Sequence, residues 1–166
     1  MDELWVSDAS PLIVLAKAGH APLLEAPGRQ LLIPEAVVSE VLAGPAADPG
    51  RRLLESGFGR RVVAAEIPAR LLEWGLGRGE TEVLAVAMEN ATGTAVLDDL
   101  AARRCAAALG VPVIGTLGVV VRAKRVGAIE TASVVVEALR RAEFRIDDQA
   151  VRAALASVGE TWTGGG

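Results

Sequence analysis

A chain of 166 residues is one domain's worth, and with a hydrophobic content of 51% it can bury roughly 70% of the surface that its unfolded form exposes without a covalent staple. Its net charge is −4, from 17 basic and 21 acidic residues, and its single cysteine, Cys105, excludes an internal disulfide framework and a multi-cysteine zinc site. No apolar run approaches the roughly 20 residues that cross a bilayer, so no membrane role and a cytoplasmic setting are expected, and with two Phe, three Trp and no Tyr the platforms that stack bases are nearly absent, so stacking is not expected to drive binding.

The first apolar run, Leu4-Trp5-Val6, ends at Ser7-Asp8 and predicts a buried strand. Ser10-Pro11 then reads as N-cap and first helical residue of a helix over 12–18 that Gly19 stops. Leu31-Leu32-Ile33 is a second strand, closed by Pro34, after which Val37, Val38, Val41 and Leu42 form the apolar face of a helix and Glu40 lies off that face. A Pro/Gly-rich loop over 44–50 leads to a short amphipathic piece over 51–56 and a strand expected over 61–67.

Gly75, Gly77 and Gly79 are spaced G-x-G-x-G without a terminal Lys-Ser/Thr, so they read as a turn and not as a phosphate-binding loop. They open a helix over 80–90, striped by Val83, Leu84, Ala87 and Met88, with Glu80 in its first turn. A third strand over 94–97 ends at Asp98-Asp99 and a helix follows over 100–109, with Cys105 on its apolar side. A strand over 111–114 then leads through Gly115-Thr116 into a helix over 117–124, and two more helices are expected over 131–142 and 147–158. The alternation predicts a parallel sheet covered by helices on both faces in one domain over 1–160, with 161–166 as a disordered tail.

Four acids, Asp8, Glu40, Glu80 and Asp98, punctuate successive units of this pattern. Each has an ordinary explanation alone: Asp8 as a cap, Glu40 as a solvated helical acid, Glu80 as a partner of the helix dipole, and one of Asp98 and Asp99 as the cap of the next helix. With Ser10 read as the first cap and Asp99 as the later one, Asp8 and Asp98 are free to face the crevice at the carboxyl ends of the strands. Carboxylates gathered there repel one another, and an all-oxygen set suits a hard divalent cation, Mg²⁺ or Mn²⁺. Setting those four aside leaves 17 acidic against 17 basic residues, 15 of them Arg, so charge neither requires nor excludes a phosphate-bearing partner.

Five ordered motifs, Val6-Ser7-Asp8-Ala9-Ser10-Pro11-Leu12-Ile13, Val38-Ser39-Glu40-Val41-Leu42, Gly79-Glu80-Thr81-Glu82-Val83-Leu84-Ala85-Val86-Ala87, Val96-Leu97-Asp98-Asp99 with Ala102-Arg103, and Ile114-Gly115-Thr116-Leu117-Gly118-Val119, resemble the PIN-domain nucleases over about 5–144, most closely a toxin-type bacterial and archaeal subgroup. The resemblance implies a three-layer α/β/α fold around a parallel sheet. It also implies that Asp8, Glu40, Glu80 and Asp98 are catalytic and bind divalent metal, with Ser10 and Asp99 in support. The chain departs from the commonest pattern in having Glu80 where many members have Asp, and Leu100 after the acidic pair where a charged residue is frequent.

The activity so implied is a metal-dependent endoribonuclease acting on RNA, as the toxin of a toxin–antitoxin pair and as a homo-oligomer, a dimer, with Arg103 or Arg104 holding phosphate. A PIN-fold binding module acting through a protein or RNA partner is the alternative. An aspartyl phosphatase built on Asp8 fits less well, because Asp8-Ala9-Ser10 lacks a second acid two residues on.

Overall fold

The computed structural model describes residues 2–164. Strands β1 (Glu3–Ser7), β2 (Arg29–Pro34), β3 (Arg60–Val62), β4 (Gly93–Val96) and β5 (Val113–Ile114) form one sheet in the order β3-β2-β1-β4-β5. All its pairings are parallel. The helices are α1 (Ala9–Lys17), α2 (Glu35–Leu42), α3 (Pro49–Glu55), α4 (Ala69–Leu72), α5 (Arg78–Met88), α6 (Leu100–Ala108), α7 (Thr116–Arg125), α8 (Ala132–Arg141) and α9 (Asp148–Ala156). They flank the sheet in the three-layer α/β/α arrangement that the alternation predicts. Among the described residues no helix is long and apolar enough to cross a membrane.

The central strands are buried on both faces: Trp5, Val6, Ile33, Val96 and Leu97 are at most 1% exposed, as continuous apolar runs in a parallel sheet require. Cys105 is buried in this core and its thiol pKa is raised by that burial.

Strand order reverses at β1, because β2 and β3 extend the sheet to one side of it while the chain returns to place β4 on the other. Such a reversal leaves a crevice outside the carboxyl ends of the two strands that flank it. The pairing of Ser7 with Val96 brings both ends level, so the residues that follow, Asp8 and the Leu97-Asp98 pair, emerge together.

Four expectations are corrected. Helix α1 begins at Ala9 with Asp8 at its N-cap position, not at Pro11 with Ser10 as cap, because Asp8 keeps an extended backbone and its N–H is committed to Val96 O at 3.1 Å. Strand β3 stops at Val62 instead of reaching residue 67: its partner β2 ends at Pro34, which is level with Val62, and has no further residue to pair. The next backbone N–H groups are satisfied by carboxylates of the α5 region instead, Ala64 by Glu82 at 3.3 Å and Ala65 by Glu89 at 2.6 Å. Strand β5 is likewise shorter than 111–114, since Pro112 contributes a carbonyl to Ala95 N–H but has no N–H to return.

The fourth concerns the tail. Trp162, which was expected beyond the domain boundary at 160, is 9% exposed, donates its indole N–H to Glu137 Oε1 at 2.7 Å and lies under the Arg140 guanidinium at 4.3 Å. Its ring buries apolar area while its one polar atom finds an acceptor, which a disordered tail would forgo. Residues 165 and 166 of the expected tail lie outside the described residues.

Candidate active site

Asp8 follows β1 and Asp98 follows Leu97 at the end of β4, so the switch point of the sheet places one acid on each side of the crevice. Glu40 comes from the later half of α2 and Glu80 from the first turn of α5. All four line one cleft of about 970 Å³, together with Ser10, Asp99, Lys17, Arg78 and Arg145.

The cleft floor depends on Gly79. A Cβ at that position would crowd Glu40 Oε2 at 3.0 Å and touch Asp8 Oδ1 at 3.4 Å, so the glycine leaves Glu40 room to approach Asp8 where the first turn of α5 passes them. Asp8 is only 6% exposed. Burial is the main cause that raises its pKa from 3.8 to about 7; a hydrogen bond from the Ala9 backbone opposes the rise, and the charges of Glu80, Glu40 and Asp98 add to it.

The other acids are held in different ways. Asp98 accepts from Thr116 twice, from the backbone N–H at 2.8 Å through Oδ1 and from the hydroxyl at 2.5 Å through Oδ2, at the N-terminus of α7. This anchorage fixes the carboxylate on a helix end whose dipole favours negative charge. Asp99 accepts from Ala102 N–H at 2.8 Å and is the N-cap of α6. Glu80 turns back to accept from Gly77 N–H at 3.0 Å. Its neighbour Glu82 is committed elsewhere, accepting from Ala36 N–H at 2.7 Å at the start of α2.

The supporting residues are placed less uniformly. Ser10 lines the cleft but is exposed and, among the described residues, makes no hydrogen bond to Asp8; the hydroxyl beside that residue is Ser7, which donates to the Asp8 carbonyl at 3.0 Å. Arg103 lies beside Asp98, donating through Nη1 to Leu97 O at 3.3 Å, and a Cβ on Gly115 would come within 2.6 Å of that nitrogen. Arg104 is exposed on the same helix and lines neither the cleft nor its neighbour.

Sequence reasoning missed Thr116 as the holder of Asp98, although a Gly-Thr pair at a strand-to-helix junction on the same edge of the sheet was a usable signal. It also missed Lys17, Arg78 and Arg145 as the cations of the cleft. Nothing local marks Arg145, because its turn reaches the cleft through tertiary packing, whereas Lys17 and Arg78 lie on the helices that also carry Ser10 and Glu80.

Among the described residues no three Asp, Glu, His or Cys side chains stand together at metal-holding spacing, which accords with Glu80 being turned to Gly77 and Asp98 to Thr116. The donor set nevertheless fits a hard divalent cation. It is all oxygen, Asp8 and Glu40 converge over the bare Cα of Gly79, and the buried acid is one whose negative charge is costly unless compensated.

A search of curated proteins found no significant match. The profile of the DUF3368 family, a PIN domain, matches residues 4–160, all of the helices and all but the first residue of the sheet described above, and PIN domains are generally nucleases. The chain belongs to the PIN-domain family.

Proposed function

We propose that the protein is a metal-dependent endoribonuclease. The observation that carries this is the position of Asp8: a carboxylate buried at the switch point of a parallel sheet that shares an open cleft with three further carboxylates. Such an arrangement costs stability without cations and serves no packing purpose, and perturbed acids of this kind concentrate where chemistry is done.

Asp8, Glu40, Glu80 and Asp98 would hold Mg²⁺ or Mn²⁺. When bound, such a cation supplies Lewis acidity toward a scissile phosphate and its attacking water. Asp8 and Asp98 would be the fixed ligands, one set by the end of β1 and the other by Thr116. Glu80 would be the adjustable one: it accepts from Gly77 N–H, and its longer side chain would reach the cation only on releasing that contact to water. Lys17, Arg78 and Arg145 line the cleft, with Arg103 adjoining, and offset the acids' repulsion of a polyanion, the guanidinium groups also offering paired N–H donors to phosphate oxygens.

The toxin-type subgroup that the sequence resembles extends the proposal to the toxin of a toxin–antitoxin pair, acting as a dimer and held in check by a cognate protein; a small open reading frame beside its gene would support that setting. Calorimetric titration with Mn²⁺ tests the site. Binding by the wild type that is lost in Asp8→Asn is expected, whereas no binding at millimolar Mn²⁺ would favour a PIN-fold binding module without catalysis.

A further inference from the structure

We propose that the turn between α8 and α9 forms a subsite for one unpaired base of a single-stranded RNA, with Phe144 as the stacking surface and Arg145 and Arg103 as the flanking phosphate contacts. This rests on the nuclease proposal and extends it to the form of the substrate.

The acidic cleft does not end at Asp98. A second cleft of about 750 Å³ adjoins it, and the two share Asp98, Phe144 and Arg145 as lining residues. Phe144 therefore stands on the divide between them. Among the described residues it is the sole aromatic lining either cleft, and the other aromatics are differently placed: Trp5 and Trp162 are buried, Phe58 packs on the core, and Trp74 is exposed outside both clefts. The scarcity of aromatic residues argues against a binding surface of many stacked bases, but one ring at the exit of the acidic cleft is sufficient for one base.

The ring is set in place by the backbone. Glu143, with φ of 66°, is the one non-glycine residue in the left-handed region among the described residues. Its N–H donates to Arg140 O at 2.9 Å, and Phe144 N–H donates to Leu139 O at 3.0 Å, closing the end of α8. A left-handed Glu is strained where glycine would not be, and it aims the next two residues, Phe144 and Arg145, across the cleft divide. Phe144 is half-buried against the core, so its ring is already ordered and loses little freedom when a base stacks on it.

The excess of acids falls away in the same direction, from six acids against three bases lining the first cleft to two against two lining the second. The first cleft carries the four site acids, whereas the acids lining the second are Asp98, held by Thr116, and Asp147, whose carboxylate accepts from Ala150 N–H at 3.0 Å as the cap of α9. Facing them are Arg145 and Arg103, and Arg103 makes no ion pair among the described residues. A phosphodiester chain leaving the acids finds its electrostatic partners there. A base can stack on Phe144 only if its face is free, which a duplex does not offer.

The experiment measures binding of a short fluorescent single-stranded RNA by anisotropy, with Ca²⁺ in place of Mg²⁺ and cleavage checked on the same samples. Phe144→Leu keeps apolar volume and removes the π face; it should weaken binding about tenfold, and Phe144→Trp should bind like the wild type. With wild-type protein, scanning an abasic site along the RNA should reveal one position with a similar loss, and that sensitivity should vanish in Phe144→Leu. Arg103→Ala and Arg145→Ala should each lower the salt dependence by about one released counterion.

Equal binding by wild type and Phe144→Leu, or an equal effect of the substitution on duplex and single-stranded RNA, would overturn the subsite while leaving the nuclease proposal standing. Failure of the wild type to bind or cleave any single-stranded RNA would overturn both.

Discussion

Thr116 holds both oxygens of Asp98, its backbone N–H at 2.8 Å from Oδ1 and its hydroxyl at 2.5 Å from Oδ2. The residue is fully buried, so its hydroxyl serves this carboxylate and not solvent. Replacing it by Val keeps the shape and the N–H but removes one of the two contacts, leaving Asp98 free to rotate. Thr116→Val should lower metal-dependent RNA cleavage roughly 10- to 100-fold, the usual cost of losing an outer-shell partner, and Thr116→Ser should recover most of it. A thermal melt on the same samples separates a misplaced carboxylate from a misfolded protein.

Gly79 sits in the first turn of α5, where Ala would ordinarily stabilise a helix by roughly 0.5 to 1 kcal/mol. Its missing Cβ, however, is the space into which Glu40 and Asp8 converge. Because the atoms that a methyl group would meet are the ends of two flexible carboxylates, the fold can yield while the site cannot. Gly79→Ala should therefore match or exceed the wild type in urea stability and lose metal binding by calorimetry. Retained affinity for Mn²⁺ would show that the acids have other room.

Glu80 and Glu82 are two residues apart and are expected to fail in opposite ways. Glu82 Oε2 and Oε1 accept from the N–H groups of Ala36 and Ala64, tying α5 to the start of α2 and to the segment after β3. Its loss in Glu82→Ala leaves two donors without their charged acceptor and should cost roughly 2 to 3 kcal/mol in denaturant unfolding. Glu80 accepts only from Gly77 N–H at an exposed turn, so Glu80→Ala should change stability by less than about 0.5 kcal/mol and abolish cleavage.

Asp8 gives a pH signature. Its pKa is raised in the fold, from 3.8 to about 7, so the folded state binds this proton more tightly than the unfolded one. The associated stability is fully present below pH 3.8 and is lost as pH rises through about 7. In chelator the wild type should lose up to roughly 4 kcal/mol relative to Asp8→Asn across that window, and the variant should be the more stable of the two at pH 8. Adding Mn²⁺ at pH 8 should reverse the order, since only the wild type gains a ligand for the cation. Parallel melting curves of the two proteins from pH 4 to pH 8 would refute this origin of the pH dependence.

The layering was legible because strand and helix alternate in buried apolar runs such as Leu31-Leu32-Ile33 and because Pro and Gly punctuate them. The capping role of Asp99 was legible too, since a cap needs only an acid just before a helix and an N–H three residues on. Ser10 misled because Ser-Pro is a strong local start signal, yet tertiary pairing of the Asp8 N–H with Val96 decides where α1 begins. The short β3 was hidden for a similar reason: strand length depends on the partner, and β2 runs out at Pro34. Phe144 and Arg145 come to the acids through packing between elements distant in sequence, and periodicity carries no trace of that; Lys17 and Arg78 share helices with Ser10 and Glu80 but carry no local mark of facing the cleft.

The central claim is that the acidic cleft is a metal-dependent ribonuclease site, and its most direct test is cleavage of a diverse single-stranded RNA pool by purified protein in Mn²⁺, run beside Asp8→Asn and beside wild type in EDTA. Cleavage by the wild type in Mn²⁺ alone, absent from both controls, is the predicted result. No cleavage in any condition, or cleavage by Asp8→Asn at the wild-type rate, would contradict it.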